Sequence, residues 1–268
     1  MIKSGDYITR NSYKNDTLFL VLSVKGNMVY LKGVNDRLYA DSPVDDCTVV
    51  DKKMIEDKFN VPKVDTDMDR NDYFYLPPRV LQLDGDSEYL KRCMDYYREN
   101  HILAVGKKID EEHIANDIVG YLEEVKPDIV IITGHDAYMK KKGDKKDLKN
   151  YKNSTNFVGA VKNARKYEKS HEKLIIIAGA CQSNYEELIK AGANFASSPK
   201  RVNIHALDPA IIACNLALTE RNKEINLIEL LSKTKNGVDG MGGLICNGMM
   251  YVGYPRWMLV ISKKKLKV

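Results

Sequence analysis

Cysteine is scarce in this 268-residue chain: five residues, at positions 47, 93, 181, 214 and 246, without a C-x-x-C pair among them. An odd, scattered set excludes a disulfide framework and a zinc ribbon. Long apolar runs are missing too. No stretch approaches the roughly 18 consecutive apolar residues that span a bilayer, and Met1-Ile-Lys-Ser-Gly-Asp6 offers no apolar core for a secretory signal. The expectation is a cytoplasmic protein with no membrane partner, in a reducing compartment that leaves thiols free. No single sign of charge dominates, because the formal net charge is only +5. Seven lysines stand against two aspartates between Lys140 and Lys152, and a basic tail occupies 261–268. Lacking interleaved aromatics on one face, these read as solvated loop and tail, so nucleic acid is not an expected partner. Phosphate cradles are absent as well: neither G-x-G-x-x-G nor G-x-x-x-x-G-K-[ST] follows an expected strand.

What is present suffices for a packed core, since 44% of the residues are hydrophobic. The length fits one large α/β domain and a small module. In residues 1–50, Thr17-Leu-Phe-Leu-Val-Leu-Ser-Val24, Met28-Val-Tyr-Leu-Lys32 and Arg37-Leu-Tyr-Ala40 read as short strands. Gly26-Asn27, Gly33 and Asn35-Asp36 read as the turns between them. Such spacing predicts a small SH3-like β-barrel or curled sheet. Residues 51–72 are charged and read as a linker, and 73–260 as an α/β domain. There, strands over 80–84, 101–105, 128–134 and 174–180 alternate with helices over 87–99, 111–125, 156–169 and 184–190. That alternation predicts a mostly parallel sheet with right-handed crossovers and helices on both faces. Near the C-terminus, Asn247-Gly248 between two apolar stretches predicts an antiparallel hairpin over 243–252.

Two apolar runs end in glycine turns that each present one reactive side chain. Asp128-Ile-Val-Ile-Ile-Thr-Gly134 delivers His135, and Leu174-Ile-Ile-Ile-Ala-Gly-Ala180 delivers Cys181. Runs without polar alternation read as strands buried on both faces of a parallel sheet. Chemistry in such sheets gathers beyond the carboxyl ends of the strands. A thiol becomes nucleophilic as thiolate, and an imidazole within reach can take its proton. The interval of 46 residues (181 minus 135) matches the spacing of histidine about 50 residues before cysteine in caspases. Backbone N–H groups of Cys181 and of Asp136 are candidate oxyanion donors. The competing reading makes Cys181 a small core residue and His135 a satisfied structural group. Asp84 and Asp86 end the first strand of the domain, where carboxylates could receive a basic substrate side chain, although Asp86 also suits the N-cap of the next helix. His205 and Asp208, in Arg201-Val-Asn-Ile-His-Ala-Leu-Asp-Pro209, are pocket candidates.

Five segments are long and uncommon: Leu83-Asp-Gly-Asp86, Ile132-Thr-Gly-His-Asp-Ala-Tyr138, Ala178-Gly-Ala-Cys-Gln-Ser183, Ala191-Gly-Ala-Asn-Phe-Ala-Ser-Ser-Pro199 and the 201–209 stretch. Together they resemble the YabG sporulation-specific proteases of spore-forming bacteria, over nearly the whole chain. The resemblance implies a cysteine endopeptidase that processes spore coat and spore-associated proteins, in the mother cell or forming spore. The strand–Gly-His and strand–Ala-Cys pattern also looks like the caspase and clostripain group, which implies a caspase-like sheet. That group usually has glycine directly after the histidine, whereas here Gly134 precedes it and Asp136 follows. By analogy with relatives that cleave after arginine or lysine, Asp84 and Asp86 are assigned to an S1 pocket with basic P1 preference.

The expected chemistry is thiol peptide hydrolysis by Cys181 and His135, with no third catalytic residue, no metal and no organic cofactor. A small-molecule thiol hydrolase would instead need an enclosed pocket. A non-enzymatic coat-assembly module would tolerate alkylation of Cys181. Natural substrates and oligomeric state are not legible.

Overall fold

The structure, a computed structural model, describes residues 2–51, 59–64, 72–139 and 143–255. The basic tail, residues 140–142 of the lysine-rich loop and most of the expected linker lie outside them.

The chain opens with β1 (Tyr7–Arg10), β2 (Phe19–Lys25), β3 (Met28–Gly33), β4 (Tyr39–Pro43) and β5 (Cys47–Val49), in the antiparallel order β4-β3-β2-β1-β5. Gly26, at φ +59°, makes the two-residue turn that joins Lys25 to Met28. Alternation puts Val29 and Leu31 beside Ile8, Phe19 and Val21 in a small core, while Tyr30 faces solvent. Among the described residues this sheet does not close into a barrel. β5 is three residues long and its whole ladder goes to β1, so β4 and β5 remain open edges. The strand expected over 37–40 begins only at Tyr39, because residues 35–37 pair elsewhere.

The second part contains β6 (Phe74–Leu76), β7 (Val80–Asp84), α1 (Ser87–Glu99), β8 (Ala104–Lys108), α2 (Glu111–Val125), β9 (Ile129–Thr133) and α3 (Ser154–Tyr167). There follow β10 (Ile175–Ala178), α4 (Tyr185–Ala191), β11 (Phe195–Ser197), α5 (Asp208–Leu218), α6 (Leu227–Ser232), α7 (Gly237–Gly240), β12 (Met241–Gly243) and β13 (Tyr251–Gly253). Six strands form one sheet in the order β12-β11-β10-β9-β7-β8, parallel except for β12. Every residue of β7, β9 and β10 is buried. Ile129, Ile131, Ile175 and Ile177 pack on one face with α1 and the almost wholly buried α5. Val130, Ile132, Ile176 and Ala178 pack on the other with α2, α3 and α4. Helices therefore cover both faces of the mainly parallel sheet, as the alternation predicts.

Two local expectations are corrected. The strand expected over 101–105 starts at Ala104, because His101 takes a left-handed φ of 58° as the chain leaves α1. The hairpin around Asn247-Gly248 is absent: β12 pairs with β11, β13 pairs with β6, and Gly248 N–H donates to Lys223. Each flank finds an open strand edge elsewhere, and a Cβ on Gly248 would overlap the Thr219 and Glu220 carbonyls. Among the described residues no helix is long and apolar enough to cross a membrane.

Candidate active site

Sheet register decides which side chains share the carboxyl edge. Asp84 of β7 lies opposite Thr133 of β9, and Ile132 of β9 opposite Ala178 of β10. Two residues beyond that row stand Asp86, His135 and Cys181, at equivalent positions on three neighbouring chains. Adjacent strands are about 4.8 Å apart, so in the order β10-β9-β7 the backbone position of His135 falls between those of Cys181 and Asp86.

His135 is held by a residue the sequence reading missed. Glu111, the first residue of α2, accepts from the His135 N–H at 2.8 Å and lies 3.1 Å from Nδ1. Gly85 and Gly134 make room for it, since a Cβ on either would overlap the Glu111 carboxylate. Gly134 is thus required by close approach rather than by a sharp turn. With Nδ1–H directed to Glu111, Nε2 faces away. It is the one buried side-chain polar atom among the described residues without a hydrogen-bond partner. Asp86 Oδ2 lies 3.4 Å from it, without hydrogen-bond alignment. Tyr39 of β4 covers the imidazole, with ring centroids 4.1 Å apart.

Cys181 is fully buried in the α5-side core. Gly179, at φ +103°, and Gln182, at φ +58°, bend the chain on either side of it. Ile204 N–H donates to Sγ at 3.2 Å, and Sγ in turn lies 3.6 Å from the Ile204 carbonyl. Burial and the nearby Asp36 charge push the thiol well above its usual range, against the Ile204 N–H. Among the described residues no hydrogen bond joins Cys181 to His135, and the Tyr89 ring centroid lies 5.8 Å from that of His135. Neither the Cys181 nor the Asp136 backbone N–H has an acceptor among the described residues. The Asp136 side chain is a strut. It accepts from Asn153 N–H at 2.7 Å, from Ser154 Oγ, and from Ser183 Oγ at 2.9 Å, tying the cysteine loop to the start of α3.

The acidic residues divide by task. Asp86 caps α1, accepting from Glu88 and Tyr89 N–H, and also binds Lys32 Nζ at 2.8 Å. Burial opposes its charge, yet His135, Lys32 and the Tyr89 N–H hold its pKa well below the usual carboxylate range. Asp84 is wholly buried and grips the Arg37 guanidinium. His205 and Asp208 are buried, Asp208 accepting from His205 N–H at 2.8 Å and Lys235 N–H at 3.0 Å. A cleft of about 630 Å³ opens nearby, lined by Lys145, Asn184, Glu186, Lys200 and Arg201 among others, but by neither His135 nor Cys181.

Burial raises the Asp208 carboxyl from 3.8 to about 7, against hydrogen bonds from Lys235 and His205. The native state then binds the extra proton between those values, so this group makes stability fall as pH rises through that window. The urea midpoint of wild type relative to Asp208→Asn should therefore be higher at pH 5 than at pH 8. A difference independent of pH would refute the assignment.

His135 thus stands at the sheet edge with Nδ1 held by Glu111 and Nε2 without a hydrogen-bond partner. A family model described as YabG peptidase U57 matches residues 3–69 and 60–255, which places the molecule among peptidases. The chain belongs to the YabG peptidase family. It is 38% identical over 281 aligned residues to the sporulation-specific protease YabG of Bacillus subtilis (strain 168), an alignment that covers 94% of this chain and 97% of that protein.

Proposed function

We propose that the protein is a cysteine endopeptidase of sporulation, in which Cys181 is the nucleophile and His135 the general base. The observation that carries this reading is the Asp86–His135–Cys181 row, with no hydrogen-bond partner on Nε2 and Nδ1 held by Glu111. The Sγ proton passes to Nε2, and Sγ attacks the scissile carbonyl. The oxyanion is received by the Cys181 and Asp136 N–H groups. Collapse breaks the C–N bond as His135 returns the proton to the leaving amine. Water, deprotonated by His135, then hydrolyses the thioester and restores the thiol. The sheet order supports a caspase-like body over 73–260, preceded by a β module at 1–50. Asp84 forms the floor of an S1 pocket for a basic side chain, while Asp86 shapes its rim. The relative is named a sporulation-specific protease, and spore coat and spore-associated proteins, met in the mother cell or forming spore, are the substrates of this proposal.

The test is digestion of a diverse peptide library by wild type and Cys181→Ala, with the cut sites mapped. Cleavage after arginine or lysine by wild type alone is expected, and equal cleavage by the variant would sink the proposal.

Glu111 acts through His135 as a positioning residue. Glu111→Gln should lower kcat on the order of 10²-fold, within the range a general base contributes, and leave KM unchanged. Glu111→Asp should recover part of the loss. A change confined to KM would count against this role.

A further inference from the structure

Residues 35–37 leave the N-terminal sheet and lie along residues 204–206. Asp36 and His205 form an antiparallel bridge. Arg37 N–H donates to the Ile204 carbonyl at 3.1 Å, and Ala206 N–H donates to the Asn35 carbonyl at 2.9 Å. This is how a free strand edge takes up an extended peptide, with main-chain bonds for affinity and a pocket for an alternate side chain. The pocket is occupied. The Arg37 side chain is fully buried, with Nη1 3.0 Å from Asp84 Oδ1 and Nη2 3.0 Å from Asp84 Oδ2. Its Nε and Nη2 donate to the Ala206 carbonyl at 3.0 and 2.9 Å. The same edge holds the nucleophile, since Ile204 N–H donates to Cys181 Sγ. Two residues further on, Tyr39 covers His135.

We infer that residues 35–37 occupy in cis the groove that receives a substrate's peptide strand, Arg37 standing in for the substrate's basic side chain, and that this contact holds the protease latent. The inference rests on the peptidase reading above. An arginine that merely anchored one sheet to the other would need only a carboxylate. Here the ion pair coincides with antiparallel main-chain pairing, on the segment that touches the thiol and beside the imidazole. Three features of a bound peptide are present at once. A tethered segment competes at an effective concentration in the millimolar range, so a peptide supplied at micromolar concentration competes weakly and is cleaved slowly. The raised pKa of Cys181, caused by burial and Asp36, agrees with a resting thiol.

The experiment compares full-length wild type, Arg37→Ala and Arg37→Gln on a fluorogenic arginyl peptide amide. Both variants should show kcat/KM at least tenfold above wild type, with matching acceleration of Cys181 labelling by an arginyl chloromethyl ketone. A variant that melts cooperatively yet cleaves no faster than wild type overturns the inference. A second measurement keeps Arg37. In Cys181→Ala protein, an excess of the same arginine peptide should increase deuterium uptake over residues 33–40, and unchanged uptake at saturating peptide also overturns it. The two readings fail separately. A rate gain that survives Cys181→Ala in the Arg37→Ala background supports latency and sinks the thiol mechanism.

Discussion

Replacing Cys181 by alanine should abolish peptide cleavage, lowering kcat by at least about 10³-fold, while the fold survives. A nucleophile that works as a unit with its base accounts for most of the rate when removed alone, and what persists comes from oxyanion donors and binding. Cys181 sits in the core beside Ile204, Ile177 and α5, so the substitution deletes one sulfur and its contacts with the Ile204 N–H and carbonyl. That should cost about 1 kcal/mol, the common size of a point-mutant effect. Urea unfolding with an unchanged m-value, beside kinetics on the arginyl peptide, separates lost chemistry from lost structure. The comparison is cleanest in the Arg37→Ala background, where the starting rate is high. Residual cleavage above about a tenth of the parent rate would show that the thiol is not the nucleophile.

The parts of this molecule legible in sequence are those set by local rules. α1 and α2 span 87–99 and 111–125 as expected, because Asp86 caps the first and Lys126, in a left-handed conformation, closes the second. β7 and β9 read correctly because they are short and buried on both faces. Placement of His135 and Cys181 on one edge follows from that alternation, since parallel strands bring successive carboxyl ends together. What was not legible depends on partners far apart in the chain. Arg37 looked like a strand residue, but its side chain is claimed by Asp84 and by the carbonyl of Ala206, 169 residues away. Glu111 looked like an ordinary acidic residue in the first turn of a helix. Its reach to His135 depends on the missing side chains of Gly85 and Gly134, a signal that needs three separated positions read together. The expected hairpin at 247–248 failed for a similar reason, as a strong local turn preference gave way to pairing with β6 and β11.

Asp84→Ala is expected to be the most destabilising single change at the site, by about 3–5 kcal/mol, because it strands a buried charge. The partners are unequal in this respect. Arginine cannot give up its proton, so Arg37 would stay charged at a position that is fully buried. Among the described residues its guanidinium would keep only the Ala206 carbonyl and the Cys93 sulfur as acceptors. A carboxyl left alone by Arg37→Ala can instead neutralise itself by taking up a proton, and Gln82 and the Asp86 N–H still donate to it. Arg37→Ala should therefore melt several degrees above Asp84→Ala. At roughly 2–4 °C per kcal/mol for a chain of this size, Asp84→Ala should lose roughly 6–20 °C. Replacing both partners, as Arg37→Met with Asp84→Leu, removes the stranded charge and should recover most of that loss. The double variant then separates stability from specificity. It should fold and still contain Cys181 and His135, yet cleave an arginyl peptide no better than a leucyl one, whereas Arg37→Ala keeps the arginine preference. An arginine preference retained without Asp84 would move the S1 carboxylate elsewhere on the sheet edge.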